Sequence, residues 1–173
     1  AGGWKVVIAR SDKDFMQLVS SAIGLLNPND KTGAVWTAEQ VTAKTGVSPE
    51  QVADWLALMG DAVDNIPGVP GIGPKTAAEL LKQFGSVEAI LGRLDEVKSE
   101  KLRAALREHA AAVRRNQELV RLLEVTCDFS PERLGLRPAD GGALRELFGG
   151  WGFKGMLATL ATADVTEKQA ELI

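Results

Sequence analysis

The chain opens on WKVVIA (4–9), an unbroken apolar and β-branched run of the kind that forms a strand buried on both faces of a parallel sheet. SDKDFMQLVSS follows as a short helix, with Ser11 or Asp12 placed to cap it, and AIGLL (22–26) predicts a second strand closed by the turn residues NPND. Beyond residue 36 the whole pattern is helical. TAEQVTAKTG sets Thr37 as N-cap, Gln40 three residues on and Gly46 as the stop; SPEQVADWLALMG repeats the design with Ser48, Pro49 and Gln51. Val52, Trp55, Leu56 and Met59 recur at helical spacing and predict a core face. PKTAAELLKQFG (74–85) and SVEAILGRL (86–94) come next. A long amphipathic helix then runs from about Ser99 to Leu123, with Leu102, Leu106, Val113, Val120 and Leu123 along one side. Shorter helices are expected over SPERLG and DGGALRELFG, and TADVTEKQAELI, with few large apolar groups, reads as linker or tail.

Two parallel strands do not make a stable sheet, and no later segment supplies good strands. The expected fold is mainly α, with a two-strand remnant of an α/β parallel sheet whose other strands lie upstream of Ala1. Such an incomplete sheet would expose apolar surface at Val6 and Ile8. The expected organisation is residues 1–36 as the end of an α/β core, 37–98 as helices around the glycine turn described below, 99–160 as a C-terminal helical region and 161–173 as linker or tail.

Composition narrows the class. The 173 residues are 45% hydrophobic and 25% charged, ordinary for a soluble globular protein. No apolar run approaches the roughly 20 residues of a membrane helix, and AGGWKVVIAR has no secretory pattern, so no membrane partner is expected. A lone Cys127 excludes an internal disulfide and fits a reducing cytoplasm; one cysteine and one histidine, His109, exclude a zinc finger. Any metal must therefore be held by oxygen. The net charge is −3, but residues 71–121 carry 10 basic against 7 acidic side chains, while the stretches before and after carry 5 against 8 each. The basic excess begins at a glycine turn. On charge alone this is a solvated helix surface.

The stretch GDAVDNIPGVPGIG (60–73) carries the chemistry. Gly71 and Gly73 flank Ile72, and Pro74 opens a helix. Glycines allow a tight hairpin and close approach of another backbone, and the free amides of a first helical turn favour an anion. Lys75 and Thr76 lie in that turn, and Ile72 can anchor the hairpin in the core. With the two following helices this makes a helix-hairpin-helix, a unit that grips sugar-phosphate without reading sequence. Asp12 and Asp14 follow the first strand at i and i+2, where α/β proteins place ligands. Asp61 and Asp64 sit at the C-terminal end of a helix, the unfavourable end for a carboxylate. Four such acids in one cleft would suit Mg²⁺ or Mn²⁺. A cap at Asp12 and a turn at Asp61 account for the same residues equally well.

SDKDFMQLVS, followed in order by GDAVDNIPGVPGIGPKTAAELLKQFGSVEAIL, resembles the 5′ nuclease domain of bacterial DNA polymerase I and its flap-endonuclease relatives, with weaker similarity to about Leu160. The resemblance implies a PIN/flap-endonuclease-like mixed sheet with helices on both sides, and a helix–three-turn–helix that holds duplex DNA. It implies that Asp12, Asp14, Asp61 and Asp64 match carboxylates around the second of two divalent metals. It further implies DNA-backbone contacts from Gly71, Ile72, Gly73, Lys75 and Thr76, and a monovalent cation, K⁺, at the carbonyls near Gly71 and Gly73. The family usually reads T-G-D-K-D where this chain has ARSDKD; Ser11 replaces the glycine and both acids stay. The family's upstream half, with its other acids and basic arch, has no counterpart in these residues.

The expected activity of the intact nuclease domain, whose N-terminal half these residues lack, is structure-specific 5′-3′ exonuclease or flap-endonuclease cleavage of DNA by metal-assisted phosphodiester hydrolysis, in replication and repair in the bacterial cytoplasm. The expected partners are duplex or 5′-flap DNA, the N-terminal half of the nuclease domain and a C-terminal polymerase domain. The alternative is a non-catalytic duplex-binding helix-hairpin-helix module whose affinity is indifferent to the acids. An RNA-cleaving relative on the same sheet is a third, disfavoured by the hairpin. Trp151 and Phe153 are expected in the core of a small C-terminal cap. Cys127 is expected to pack, His109 to lie at the surface, and Arg114 and Arg115 to contact phosphate or solvent.

Overall fold

In a computed structural model of the chain, residues 3–126, 135 and 139–161 are described. They fall in two compact units, Ala1–Glu124 and Val125–Ile173.

The first unit begins with strands β1 (Val6–Ala9) and β2 (Ile23–Leu26), paired in parallel from Val6–Ile23 to Ala9–Leu26. The expected strand pair gains a third member, β3 (Val35–Trp36), antiparallel to β2 and too short to show a period in the sequence. β1 is an edge strand, and its expected exposure falls on Val6 (46%) and Val7 (52%). Ile8, expected to be exposed, instead packs partly buried against the core. Lys13–Leu18 is a tight 3-10 helix rather than an α-helix, and Asp12 caps it by accepting from Asp14 N at 3.2 Å.

The helices follow their predicted caps. α1 (Ala38–Thr45) carries the Thr37–Gln40 capping box and ends at Gly46 in the left-handed region; Ser48 and Gln51 form a second box ahead of α2 (Val52–Met59). α2 is buried on every side from Val52 to Leu58, so it is the central strut rather than a helix with one apolar face. Against it pack α3 (Pro74–Phe84) and α5 (Glu100–Val120), and α4 (Val87–Gly92) packs on both of these. On α5, Leu106, Val113 and Val120 recur every seventh residue and are fully buried.

Two expectations change here. β4 (Gly60–Asp61) and β5 (Ile66–Pro67) form a short antiparallel ladder in a region read as all helix. Leu123 lies beyond α5 and is 79% exposed. The helix stops early because the Gln17 side chain donates to Val120 O at 3.0 Å and accepts from Leu122 N at 3.0 Å, replacing helical partners.

In the second unit, α6 (Gly141–Gly150) is capped by Asp140, which accepts from Ala143 N, and residues 154–161 are helical. Trp151 meets Phe153 edge-on at 5.6 Å, but the two are 63% and 43% exposed, so they are not the core residues expected. Cys127, SPERLG apart from Gly135, and the tail TADVTEKQAELI lie outside the described residues.

Candidate metal centre and nucleic-acid interface

The loop that carries Asp61 and Asp64 hangs from the C-terminus of α2. A helix end leaves its last carbonyls without partners, and here three of them are taken by groups that fix the loop. Gly60 N bonds back to Leu56 O. Asn116 Nδ2, buried on α5, donates to Ala57 O at 3.2 Å and to Pro67 O at 2.7 Å. Val69 N donates to Leu58 O at 2.9 Å. Gly60 (φ 80°) and Gly68 pass so closely that a Cβ on Gly68 would lie 2.1 Å from Met59 O. Only glycine fits there. Asn65, in the left-handed region at φ 56°, closes the turn between β4 and β5. Asp61 and Asp64 are thus held by packed backbone.

Three of the four expected acids converge. Asp14, Asp61 and Asp64 each offer an oxygen within 4.8 Å of the others. Asp12 lines a cleft of about 490 Å³ with Asp61, Asp64, Arg10, Ser11 and Lys13, but stands outside the three and is engaged as the 3-10 cap. Asp61 is buried; its Oδ1 accepts from Val63 N at 2.9 Å and its Oδ2 lies 2.7 Å from Lys13 Nζ. Burial alone would raise its carboxyl, but Lys13 and the amides of Val63 and Asp64 outweigh burial and hold it below the usual carboxylate range. Asp14 moves the other way. Burial first, then the charges of Asp12, Asp64 and Asp61, push it up to about 6. Its Oδ1 is sealed from solvent without a hydrogen-bond partner.

The glycine turn is a type II β-turn: Ile72 N bonds to Val69 O at 3.0 Å, Pro70 takes the second position, and Gly71 takes the third at φ 85°. Val69 and Ile72 are buried and anchor it. Gly73 is different. Its φ of −100° suits any residue, and a Cβ there would meet nothing within 4 Å. The fold does not require glycine at 73. Pro74 then opens α3, with Lys75 exposed and Thr76 half-buried in the first turn. Trp55 Nε1 donates to Pro74 O at 2.9 Å, tying α3 to the central strut. Asp54 on α2 accepts from Val87 N at 2.9 Å, fixing the start of α4.

Sequence reasoning missed several of these residues. Lys13 stands in plain view between Asp12 and Asp14, yet its ion pair is with Asp61, 48 positions away. Asn116 shows only as a polar interruption between Val113 and Val120. Arg114 is committed to Glu88, with Nε at 2.7 Å and Nη2 at 2.9 Å, rather than standing free for phosphate.

The chain is similar to known proteins along most of its length. The family model "5′-3′ exonuclease, C-terminal SAM fold" matches residues 47–141. A DNA polymerase I of Rhizobium leguminosarum is 38% identical over 173 residues, covering 99% of this chain and 16% of that protein. A 5′-3′ exonuclease of Aquifex aeolicus is 40% identical over 146 residues, covering 83% of this chain and 48% of that one. A flap endonuclease of bacteriophage T5, solved with DNA and metal ions, superposes with TM-score 0.61 at 26% identity, covering 67% of this chain and 42% of its own. The chain spans less than half the length of these three proteins.

Proposed function

The chain belongs to the 5′-3′ exonuclease C-terminal SAM-fold family, and on that premise we propose that it is the DNA-gripping, metal-binding part of a structure-specific 5′ nuclease acting on duplex or 5′-flap DNA. The observation that carries the reading is the carboxylate set. Asp14, Asp61 and Asp64 lie together, the latter two on packed backbone, and Asp14 Oδ1 is sealed from solvent with no partner. Such an arrangement costs stability unless a cation completes it. An all-oxygen, histidine-free donor set fits Mg²⁺ or Mn²⁺. A non-catalytic module would have no use for it.

Asp14, Asp61 and Asp64 hold the ion in this reading, and Asp12 adds negative charge at the cleft wall while fixing the 3-10 helix. The divalent ion supplies water activation and charge neutralisation at the scissile phosphate. The chain's own residues set where the duplex lies. Gly73, which the fold does not require, leaves the first-turn amides of α3 open to a phosphate, and Lys75 and Thr76 add contacts beside them. The left-handed Gly71 and the buried Ile72 hold that turn, and the carbonyls near Gly71 and Gly73 are the proposed K⁺ site. Grip and cleft are rigidly spaced because Trp55 and Asn116 tie both to α2. The acids and the amides thereby address different phosphates of one DNA. A complementary nuclease segment and a polymerase domain are the proposed protein partners, and the bacterial cytoplasm, with the chromosomal DNA, the proposed setting. Among the described residues no helix is long and apolar enough to cross a membrane.

The test incubates the chain with an end-labelled 5′-flap duplex in Mg²⁺, in Mn²⁺ and in chelator, beside an Asp61→Asn/Asp64→Asn variant. The reading predicts DNA binding by both proteins and divalent-dependent changes in binding or cutting by the wild type alone. No duplex binding by the wild type, or identical metal responses in the two proteins, would overturn it.

A further inference from the structure

Lys13 sits between two of the acids in sequence and contacts a third in space. Its Nζ lies 2.7 Å from Asp61 Oδ2; the Asp61 side chain is 1% exposed, while that of Lys13 is 31% exposed. The other Asp61 oxygen accepts from Val63 N, so both have partners. Arg10, the other cation lining the cleft, stacks over Phe15 at 5.5 Å. Asp14, by contrast, has an oxygen with no partner. The four acids are thus neutralised unevenly, and the ammonium of Lys13 covers the most buried of their carboxylates.

We propose that Lys13 is an internal counter-ion that occupies Asp61 in the cation-free protein and competes with the divalent ion for it. The inference rests on the metal reading of the same cleft. A buried carboxylate needs a positive partner to stay charged, and among the described residues Asp61 has no other ion pair. A lysine suits a temporary partner: its charge is single, its stem is flexible, and it can swing to water without leaving a planar fork unsatisfied. When a divalent ion takes the Asp61 oxygen, the ammonium must withdraw or face a like charge at close range. Lys13 therefore weakens the site while keeping the cation-free loop folded.

Electron paramagnetic resonance titration with Mn²⁺ tests this on the 173-residue wild type, Lys13→Met, Lys13→Arg and Asp61→Asn. Lys13→Met is expected to bind Mn²⁺ about tenfold more tightly than wild type, and Lys13→Arg to stay within about threefold of it. Melting curves keep the test decisive if Lys13→Met folds poorly: in chelator it should melt below wild type, and Mn²⁺ should raise its midpoint by the larger amount. Equal or weaker Mn²⁺ binding by Lys13→Met, or an equal Mn²⁺ shift, would overturn the counter-ion role. No Mn²⁺ binding by wild type would overturn the metal reading beneath it. Wild-type binding that Asp61→Asn abolishes and Lys13→Met leaves unchanged would overturn Lys13 alone.

Discussion

Replacing Asp14 by asparagine should make the metal-free protein more stable at neutral pH, although it removes a proposed metal ligand. The Asp14 carboxyl titrates near 6 rather than at its ordinary 3.8, through burial and the neighbouring Asp12, Asp64 and Asp61. A folded-state value above the unfolded one means that folding favours the protonated acid. That contribution is complete below about 3.8 and is lost as pH rises through 6. Each unit is worth about 1.4 kcal/mol, so full transmission would give about 3 kcal/mol. The residue is partly open to solvent, which screens its neighbours' charges, and the expected penalty is about 1–2 kcal/mol. Asparagine keeps the shape and cannot ionise. In chelator, urea unfolding of wild type and Asp14→Asn should therefore coincide near pH 4 and separate progressively to pH 7.5, with the variant more stable by about 1–2 kcal/mol. Saturating Mn²⁺ should reverse the order, because only the wild type gains from the ion. A variant less stable than wild type at every pH, or a gap that does not change with pH, would refute the electrostatic account of this cleft.

The two glycines of the turn should behave oppositely. Gly73→Ala should leave stability unchanged or raise it by up to about 1 kcal/mol while weakening duplex binding, read by fluorescence anisotropy; Gly71→Ala should cost about 1–2 kcal/mol because its φ is left-handed. Unimpaired DNA binding by Gly73→Ala would remove phosphate approach as the reason for that glycine. Asn116→Ala should cost about 2–3 kcal/mol in urea unfolding, since Ala57 O at the end of α2 and Pro67 O beyond the acids lose their donor in a buried setting. It should also weaken Mn²⁺ binding, and a loss of stability alone would mean that Asn116 does not position the acids.

Much of the fold is legible because its signals are local. The Thr37–Gln40 and Ser48–Gln51 boxes, Pro74 after Gly73, and Ser99 ahead of the long helix each mark a helix start within four residues. The glycine turn and the two acid pairs could be found for the same reason. What escaped depends on contacts far along the chain. β4 and β5 are two residues each, too short for a period, and are braced by Asn116, about 50 positions on, which donates to Pro67 O. The end of α5 is set by Gln17, more than 100 positions earlier, so an apolar stripe projected on to Leu123 overshoots. The division among the acids was equally hidden. Asp12 and Asp14 look alike in SDKD, yet one caps a 3-10 helix, while the other keeps a buried oxygen without a partner and groups with Asp61 and Asp64.

The central claim is that this cleft binds a divalent cation. Anomalous diffraction from crystals soaked in Mn²⁺ tests it directly, with crystals of Asp61→Asn as the control. The account predicts one strong peak between Asp14, Asp61 and Asp64 in the wild type, with Lys13 Nζ withdrawn from Asp61 Oδ2, and loss of that peak in the variant. Saturating Mn²⁺ with no peak in this cleft, or a peak elsewhere that the substitution does not disturb, would contradict it.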